Sequence, residues 1–460
     1  MKNWRFSFKF KQACKGDIQD HCKDPKPKKK QDVIQCLVEA IATDTVEDSK
    51  HRISKDCRSE LKLEMLAKHS DINLDPELKE ACQQELEDNC KFDQGEDGGI
   101  ECLKTLYLQK PKLLTKKCRK QLFREEQEEA NDNDVDFALA RSCKREIKEH
   151  CPSEDGKSIL RCLKDFSHDN NFDHKCLDIL KRRIAQQSHD YRLNPTLRKS
   201  CNKDIRKFCS NVLNNFEGGE DESLDGVVID CLKQQSLQKK SLTESCMKEV
   251  MLTMVDAANI VAADPVLERL CPLSLTACRS VHDKDGEINE CLKELFKRSG
   301  LQDGVECTVH VAKVIEGAGA DIHTDPVLNN ACAVDLRKFC RDVSPGEGRM
   351  FACLVTVSKE KNFSLEKECW AVLSKRIEMF GLALKVKCYK TYSKFVFNFG
   401  YHKFQAAPIE SAQALIESVM KSPHKNFLLS FLSFAVGVVF MFGLCFGRVT
   451  KRLRTELKNK

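Results

Sequence analysis

Twenty-four of the chain's 26 cysteines fall into six sets of four, and the last cysteine of each set stands 25 residues before the first of the next. The sets are Cys14, Cys22, Cys36 and Cys57; Cys82, Cys90, Cys102 and Cys118; Cys143, Cys151, Cys162 and Cys176; Cys201, Cys209, Cys231 and Cys246; Cys271, Cys278, Cys291 and Cys307; and Cys332, Cys340, Cys353 and Cys369. The first two members are eight apart in every set except Cys271/Cys278, where they are seven apart. The second-to-third gap runs from 11 to 22 residues and the third-to-fourth gap from 14 to 21. Fixed spacings beside variable ones separate rigid joints from tolerant loops, so the chain is a repeat array.

Even numbers of cysteines at recurring spacing in small units read as disulfides in an oxidising compartment. Structural zinc sites favour ligand pairs two to four residues apart, and no set has one. Each repeat is short enough to bury only a thin core and to need staples. Four cysteines allow three connectivities, and sequence does not choose among them; the nested pairing, first to fourth and second to third, is the expectation.

Leu78, Cys82, Leu86 and Cys90 are four apart, as are Leu139, Cys143, Ile147 and Cys151, and the pattern returns at Leu197 and Leu328. That step keeps all four side chains on one face of a helix. Asp75-Pro76, Asn194-Pro195, Asp264-Pro265 and Asp325-Pro326 stand seven residues before the first cysteine; the third repeat keeps Asp136 but has Phe137 for the proline. Asp or Asn as N-cap with Pro at the first helical position starts a helix. The third cysteine is always followed by leucine and opens a short helix; the fourth opens a longer one that runs into the joint. The expected fold is therefore all-α. It consists of tandem three-helix repeats, disulfide-stapled and stacked as an α-solenoid, plus one C-terminal transmembrane helix. The repeats span residues 11–67, 68–128, 129–186, 187–256, 257–317 and 318–386, after an atypical start at 1–10. An insert and linker at 387–426 comes after them.

Residues 427–447 carry no charge over the length of one membrane helix. The tail at 448–460 holds six Lys/Arg against one Glu, nearly the whole +6 net charge. By the positive-inside rule the tail is cytosolic and the array luminal. The start (MKNWRFSFKFKQA) lacks the apolar run of a secretory signal, so the true beginning is expected to lie upstream. The balanced charge of the rest argues against a nucleic-acid binder.

No P-loop, GxSxG or paired-histidine zinc motif is present, so neither an enzyme, a cofactor, a metal nor a small-molecule substrate is expected. A calcium loop at His282 fails, because position one would be Val281. His21 and His150 are expected to pack beside disulfides. Asn362 opens the only glycosylation sequon, and Arg452 and Arg454 form a candidate sorting signal. Gly443 and Gly447 form a GxxxG, and Cys445 stands near the cytosolic end of the span. The loops at 26–30 and 217–225 are charged and read first as solvated.

The (Asp/Asn)-Pro-x-Leu before the first cysteine, Cys-Leu at the third and the constant joint resemble the Golgi apparatus protein 1 family. The segments DYRLNPTLRKSC (190–201) and ADIHTDPVLNNAC (320–332) carry the likeness, with the ending GRVTKRLRTELKNK (447–460). It covers residues 11–386 and 407–460. Residues 1–10 and 387–405, the latter with the unpaired Cys388, depart from it and are expected to lie outside the repeat structure. The resemblance implies a single-pass type I Golgi membrane protein with a minor pool at the cell surface. Its luminal repeats would bind secreted growth factors of the fibroblast growth factor kind and glycoprotein partners. A structural or adhesion scaffold is the alternative.

Overall fold

A computed structural model describes residues 8–22, 30–47, 53–91, 97–152, 158–167, 171–214, 226–237, 242–282, 284–344, 346–360 and 364–399, with a few single positions between them. All regular structure among the described residues is helical. The chain divides into one unit at 1–381, which holds every disulfide, and another at 382–460. The latter includes the expected span at 427–447, outside the described residues. No helix among the described residues is long and apolar enough to cross a membrane.

Three helices build each repeat, and the second repeat shows why. Asp75 accepts hydrogen bonds from the N–H groups of Glu77 and Leu78, and Pro76 occupies the first helical position. The first helix, Pro76–Ala81, pivots at Cys82 (φ −115°) and resumes as Gln83–Asn89. Backbone bonds meet at the pivot from both sides, with Cys82 N–H donating to the Leu78 carbonyl and Leu86 N–H donating to the Cys82 carbonyl. Leu78, Cys82, Leu86 and Cys90 therefore all stay buried on one side. The second helix, Ile100–Gln109, carries the third cysteine, and the third, Lys116–Asn131, carries the fourth. In the fourth repeat the first helix runs whole from Pro195 to Phe208. In the fifth, Pro272 directly follows the pivot and withholds a helical N–H.

The nested pairing is the one present. Bonds join Cys14–Cys57, Cys82–Cys118, Cys143–Cys176, Cys201–Cys246, Cys271–Cys307 and Cys332–Cys369. The inner bonds are Cys22–Cys36, Cys90–Cys102, Cys151–Cys162, Cys209–Cys231, Cys278–Cys291 and Cys340–Cys353. The outer bond ties first helix to third and the inner bond ties first to second. Cysteines eight apart on one helix lie ~12 Å from each other and must each reach a different partner helix.

The constant joint is not one rigid helix. The third helix of each of the first five repeats stops after 16 residues, at Ser70, Asn131, His189, Asn259 and Ala320. A single 3-10 turn comes next, at Ile72–Leu74, Asn133–Val135, Tyr191–Leu193, Val261–Ala263 and Ile322–Thr324. Asp71, Asp132, Asp190 and Asp321 cap four of these turns through their side chains. Counting each repeat from its turn keeps every third helix whole.

A solenoid whose repeats touch only their neighbours would leave these turns on the surface. Instead, the third helices of repeats 1 to 4 each pack against the turn that opens the repeat two further on. Lys55–Ser70 meets Asn133–Val135, Lys116–Asn131 meets Tyr191–Leu193, His174–His189 meets Val261–Ala263, and Glu244–Asn259 meets Ile322–Thr324. Val135 thus belongs to the core of repeat 1, Leu193 to that of repeat 2 and Ala263 to that of repeat 3. The cores are interlocked at second-neighbour range.

Two stretches set aside on sequence have structure. Residues 8–10 begin the helix Phe8–His21, and Phe10 fills the leucine slot, fully buried. The backbone of 387–399 continues the helix that starts at Lys367. An apolar residue at the right register is enough for the first, and a helical run without Gly or Pro for the second.

Candidate functional site: buried ion pairs at the repeat junctions

The disulfides staple each repeat, and a carboxylate three residues past the first cysteine reinforces the staple. Asp17, Glu85, Glu146, Asp204 and Asp335 accept hydrogen bonds from the backbone N–H at the start of the third helix, at Ser54, Thr115, Asp173, Thr243 and Glu366 respectively. The orphan donors and positive dipole end of a helix N-terminus account for the preference. Repeat 5 reverses the polarity: Ser274 stands at that position, and its N–H and hydroxyl both donate to Asp303 on the other side. Sequence reading passed over this position, although its recurrence was visible there.

A second layer of charge lies between repeats. Glu101 and Lys104 flank the third cysteine of repeat 2, on its second helix. Arg183, from the third helix of repeat 3, makes a two-pronged contact with Asp136 (2.5 and 2.9 Å) and reaches Glu101 at 2.7 Å. Lys104 sits 2.5 Å from Glu129. The same design returns at repeats 5 and 6, where Arg376 grips Asp325 at 2.5 and 3.1 Å and Glu290 at 2.6 Å. Lys293 takes the place of Lys104, 2.8 Å from Glu290. In both cases the helix-capping aspartate does double duty: one oxygen caps, and the carboxylate also anchors the guanidinium. At the junction of repeats 4 and 5 a histidine substitutes, with His310 Nε2 3.1 Å from Asp264.

The densest part of this network is at the end of the third helix of repeat 1. The His69 ring is buried; its Nε2 lies 2.9 Å from Glu125 and 3.1 Å from Glu128, and Nδ1 donates to the Val135 carbonyl at 2.9 Å. Lys68 pairs with Glu125 at 2.6 Å, Glu128 at 3.1 Å and Asp75 at 3.3 Å. Burial disfavours a charged imidazole, but Glu125 and Glu128 outweigh it and push the His69 pKa up to about 10. Glu126, buried with Gln186 donating to it at 2.7 Å, is pushed up to about 8 by burial. Burial raises Asp75 to about 6 against the pull of Lys68. For Glu101 burial is overruled by Arg183 and Lys104, which hold it down at about 2.

Ligand atoms of His69, Glu125 and Glu128 come close enough together to hold a cation, as do those of Glu146, Glu149 and His150. Lys68 already brings a positive charge to the first group, and Glu146 is committed to Asp173 and Arg145. Both groups therefore read as ion-pair structure. His150 stacks on the Phe166 ring, centroids 4.6 Å apart, beside the Cys151–Cys162 bond. The network holds repeats in register, its charges spent on one another. Asn362, Arg452 and Arg454 lie outside the described residues, as do the loops at 26–29 and 217–223.

Comparison with known proteins fits these repeats. A family model described as "Cysteine rich repeat" matches residues 1–45, 55–110, 116–171, 174–240 and 305–362. The stretch it leaves out includes the start of repeat 5, where the cysteine spacing shortens and the carboxylate cap is reversed. Golgi apparatus protein 1 of Gallus gallus is 36% identical over the whole chain, which covers 38% of that relative. The Homo sapiens protein is 35% identical with 37% covered, and the Caenorhabditis elegans homolog 30% with 40% covered. The chain thus spans about two fifths of the length of the curated relatives it matches. No solved structure matches. On the repeat match and these relatives, the chain belongs to the cysteine-rich repeat family of Golgi apparatus protein 1.

Proposed function

We propose that the chain is part of a type I Golgi membrane protein. Its luminal repeats would bind secreted growth factors of the fibroblast growth factor kind and glycoprotein partners during their traffic. The observation that carries this reading is the complete set of paired cysteines, which requires an oxidising lumen. The name of the relatives supports the Golgi, and the basic residues after 447 support a cytosolic tail. An extended run of similar modules suits binding spread over several repeats better than chemistry at one. The burial of the junction charges favours a second reading, a scaffold without a specific growth-factor ligand, because those groups are spent on internal pairing.

The test joins a signal peptide to the chain and tracks it in cells. A luminal epitope and a C-terminal epitope should differ in protease protection in sealed Golgi vesicles, the luminal one surviving. The purified luminal part should bind fibroblast growth factor in its oxidised form and lose binding on reduction. Golgi residence without growth-factor binding would leave the scaffold reading. Substituting Arg452 and Arg454 by alanine should weaken retention if the tail is the sorting signal; unchanged retention assigns it to the span.

A further inference from the structure

Three repeats carry one pattern at the third cysteine, an acid followed by Cys, Leu and Lys: Glu101–Lys104, Asp230–Lys233 and Glu290–Lys293. The repeat after each of them opens on a capping aspartate, Asp136, Asp264 or Asp325. At two of these junctions an arginine seven residues after that repeat's fourth cysteine, Arg183 or Arg376, bridges the acid and the aspartate. At the junction of repeats 4 and 5 the same position holds Val314, which has no donor to offer. The cavity there measures about 50 Å³, against about 10 Å³ beside Arg183 and beside Arg376. Its walls match those around Arg376 position for position. Lys233 stands for Lys293, Asp264 for Asp325, Leu267 for Leu328, Ala257 for Ala318, and Val314 for the arginine itself. One water needs roughly 10–15 Å³ of such space, so this cavity has room for a group of several heavy atoms.

We propose that this cavity binds a guanidinium group brought by a ligand, an arginine side chain of a partner protein or free arginine, with Asp264 and Asp230 as its acceptors. A guanidinium carries five N–H donors in a planar fork that fits a carboxylate two-pronged. Arg376 grips Asp325 in this way and extends one nitrogen to Glu290. Asp264 is buried, and His310 Nε2 lies 3.2 and 3.1 Å from its two oxygens. A carboxylate only accepts, so Nε2 carries the proton, and Nδ1 of the neutral ring is an acceptor. His310 lines the cavity, and its buried Nδ1 has no hydrogen-bond partner among the described residues. Leaving a buried acceptor unpaired is costly, and a guanidinium N–H would satisfy it. Asp230 lies at the half-buried rim, where Gln234 donates to it at 2.5 Å and Lys313 stands 3.8 Å away. Lys233 and Lys313 make an anion the rival ligand. Against it, Lys293 lies 3.7 Å from Asp325 while Arg376 holds that same carboxylate, so a lysine at this position accommodates a guanidinium beside it.

The experiment is equilibrium dialysis of the oxidised 460-residue chain against N-acetylarginine amide, whose main chain is blocked as in a protein. The probe should saturate a single site, and N-acetyllysine amide should bind at least tenfold more weakly. Val314→Arg should supply the guanidinium from within, so that probe binding falls at least tenfold and the urea midpoint rises. If that variant fails to fold, Asp230→Asn carries the comparison and should weaken binding by the same factor. Free arginine separates the two sources. Binding of the blocked amide at least as tight as that of free arginine assigns the site to a partner's side chain; tighter binding of free arginine assigns it to the amino acid, and either upholds a guanidinium site. Four results would each overturn the proposal: no binding of either guanidinium compound, equal affinity for the lysine compound, undiminished binding to the folded variant, or displacement of the probe by sulfate at constant ionic strength.

Discussion

At the residue scale, the carboxylate past the first cysteine is the most economical device in the repeat. Asp204 takes hydrogen bonds from the N–H and the hydroxyl of Thr243, the latter at 2.7 Å. Asp204→Ala should cost about 1–2 kcal/mol, as for other lost helix caps, read as a lower urea midpoint of the oxidised luminal part. Asp303→Ala should cost a similar amount in repeat 5, because the polarity there is reversed. The junction charges give a pH signature. Glu126 keeps its proton up to about pH 8, whereas an unfolded glutamate loses it near 4.5. The folded state therefore binds the extra proton between those limits, and stability falls as pH rises through them. His69 acts in the same direction: its contribution is whole below 6.5 and is lost as pH climbs to about 10. Glu101 acts oppositely, contributing above 4.5 and losing that contribution as pH falls towards 2. Stability should peak in mildly acid solution, and Glu126→Gln should flatten the decline from pH 5 to 8 in chemical denaturation. An unchanged slope would remove Glu126 from this account.

At the element scale, the expected capped starts, the stripe of four-residue steps and the three helices per repeat were legible, because each rests on local chemistry. Asp75-Pro76 fixes a helix start wherever it occurs, and Leu78 and Cys82 share a face at any depth of burial. The break at Cys82 was not legible, since nothing in the pattern distinguishes it from the unbroken helix at Cys201. The joint was legible as a constant but not as a cause: its length is set by where the turn must land, and that partner is far away in sequence. Deleting two residues at 256–258 rotates the downstream chain by about 200°. Val261 and Ala263 would leave their seats on the third helix of repeat 3, with loss of secretion and of protease resistance. Deleting two at 218–222, in a gap whose length varies between repeats, should be nearly silent. Equal damage from both would count against the seated turn.

At the scale of the whole molecule, two kinds of bond act over different ranges. Disulfides close within a repeat, so alkylation of the intact, non-reduced luminal part should spare all 24 paired cysteines and label at most Cys388. The turns close between repeats, so damage should spread to second neighbours. Val135→Asp, in the opening turn of repeat 3, should expose the core of repeat 1 as well, seen as faster amide exchange around Leu61 and Met65. Fast exchange confined to repeat 3 would show that the cores are independent. Sequence reading recovered the units and missed this weave, because Val135, Leu193 and Ala263 look in isolation like ordinary turn residues.

The seated turn also sets a schedule for synthesis. Val135 leaves the ribosome 65 residues after Ser70, the end of the helix it completes. At about 5–20 residues per second, that is a delay of roughly 3–13 s. Through this interval a repeat can be oxidised and still lack one wall of its core. Each newborn repeat therefore waits, cross-linked but unfinished, for a sibling not yet translated. Luminal chaperones would meet the chain as a moving window about two modules wide, which closes behind the ribosome and remains open at the growing end.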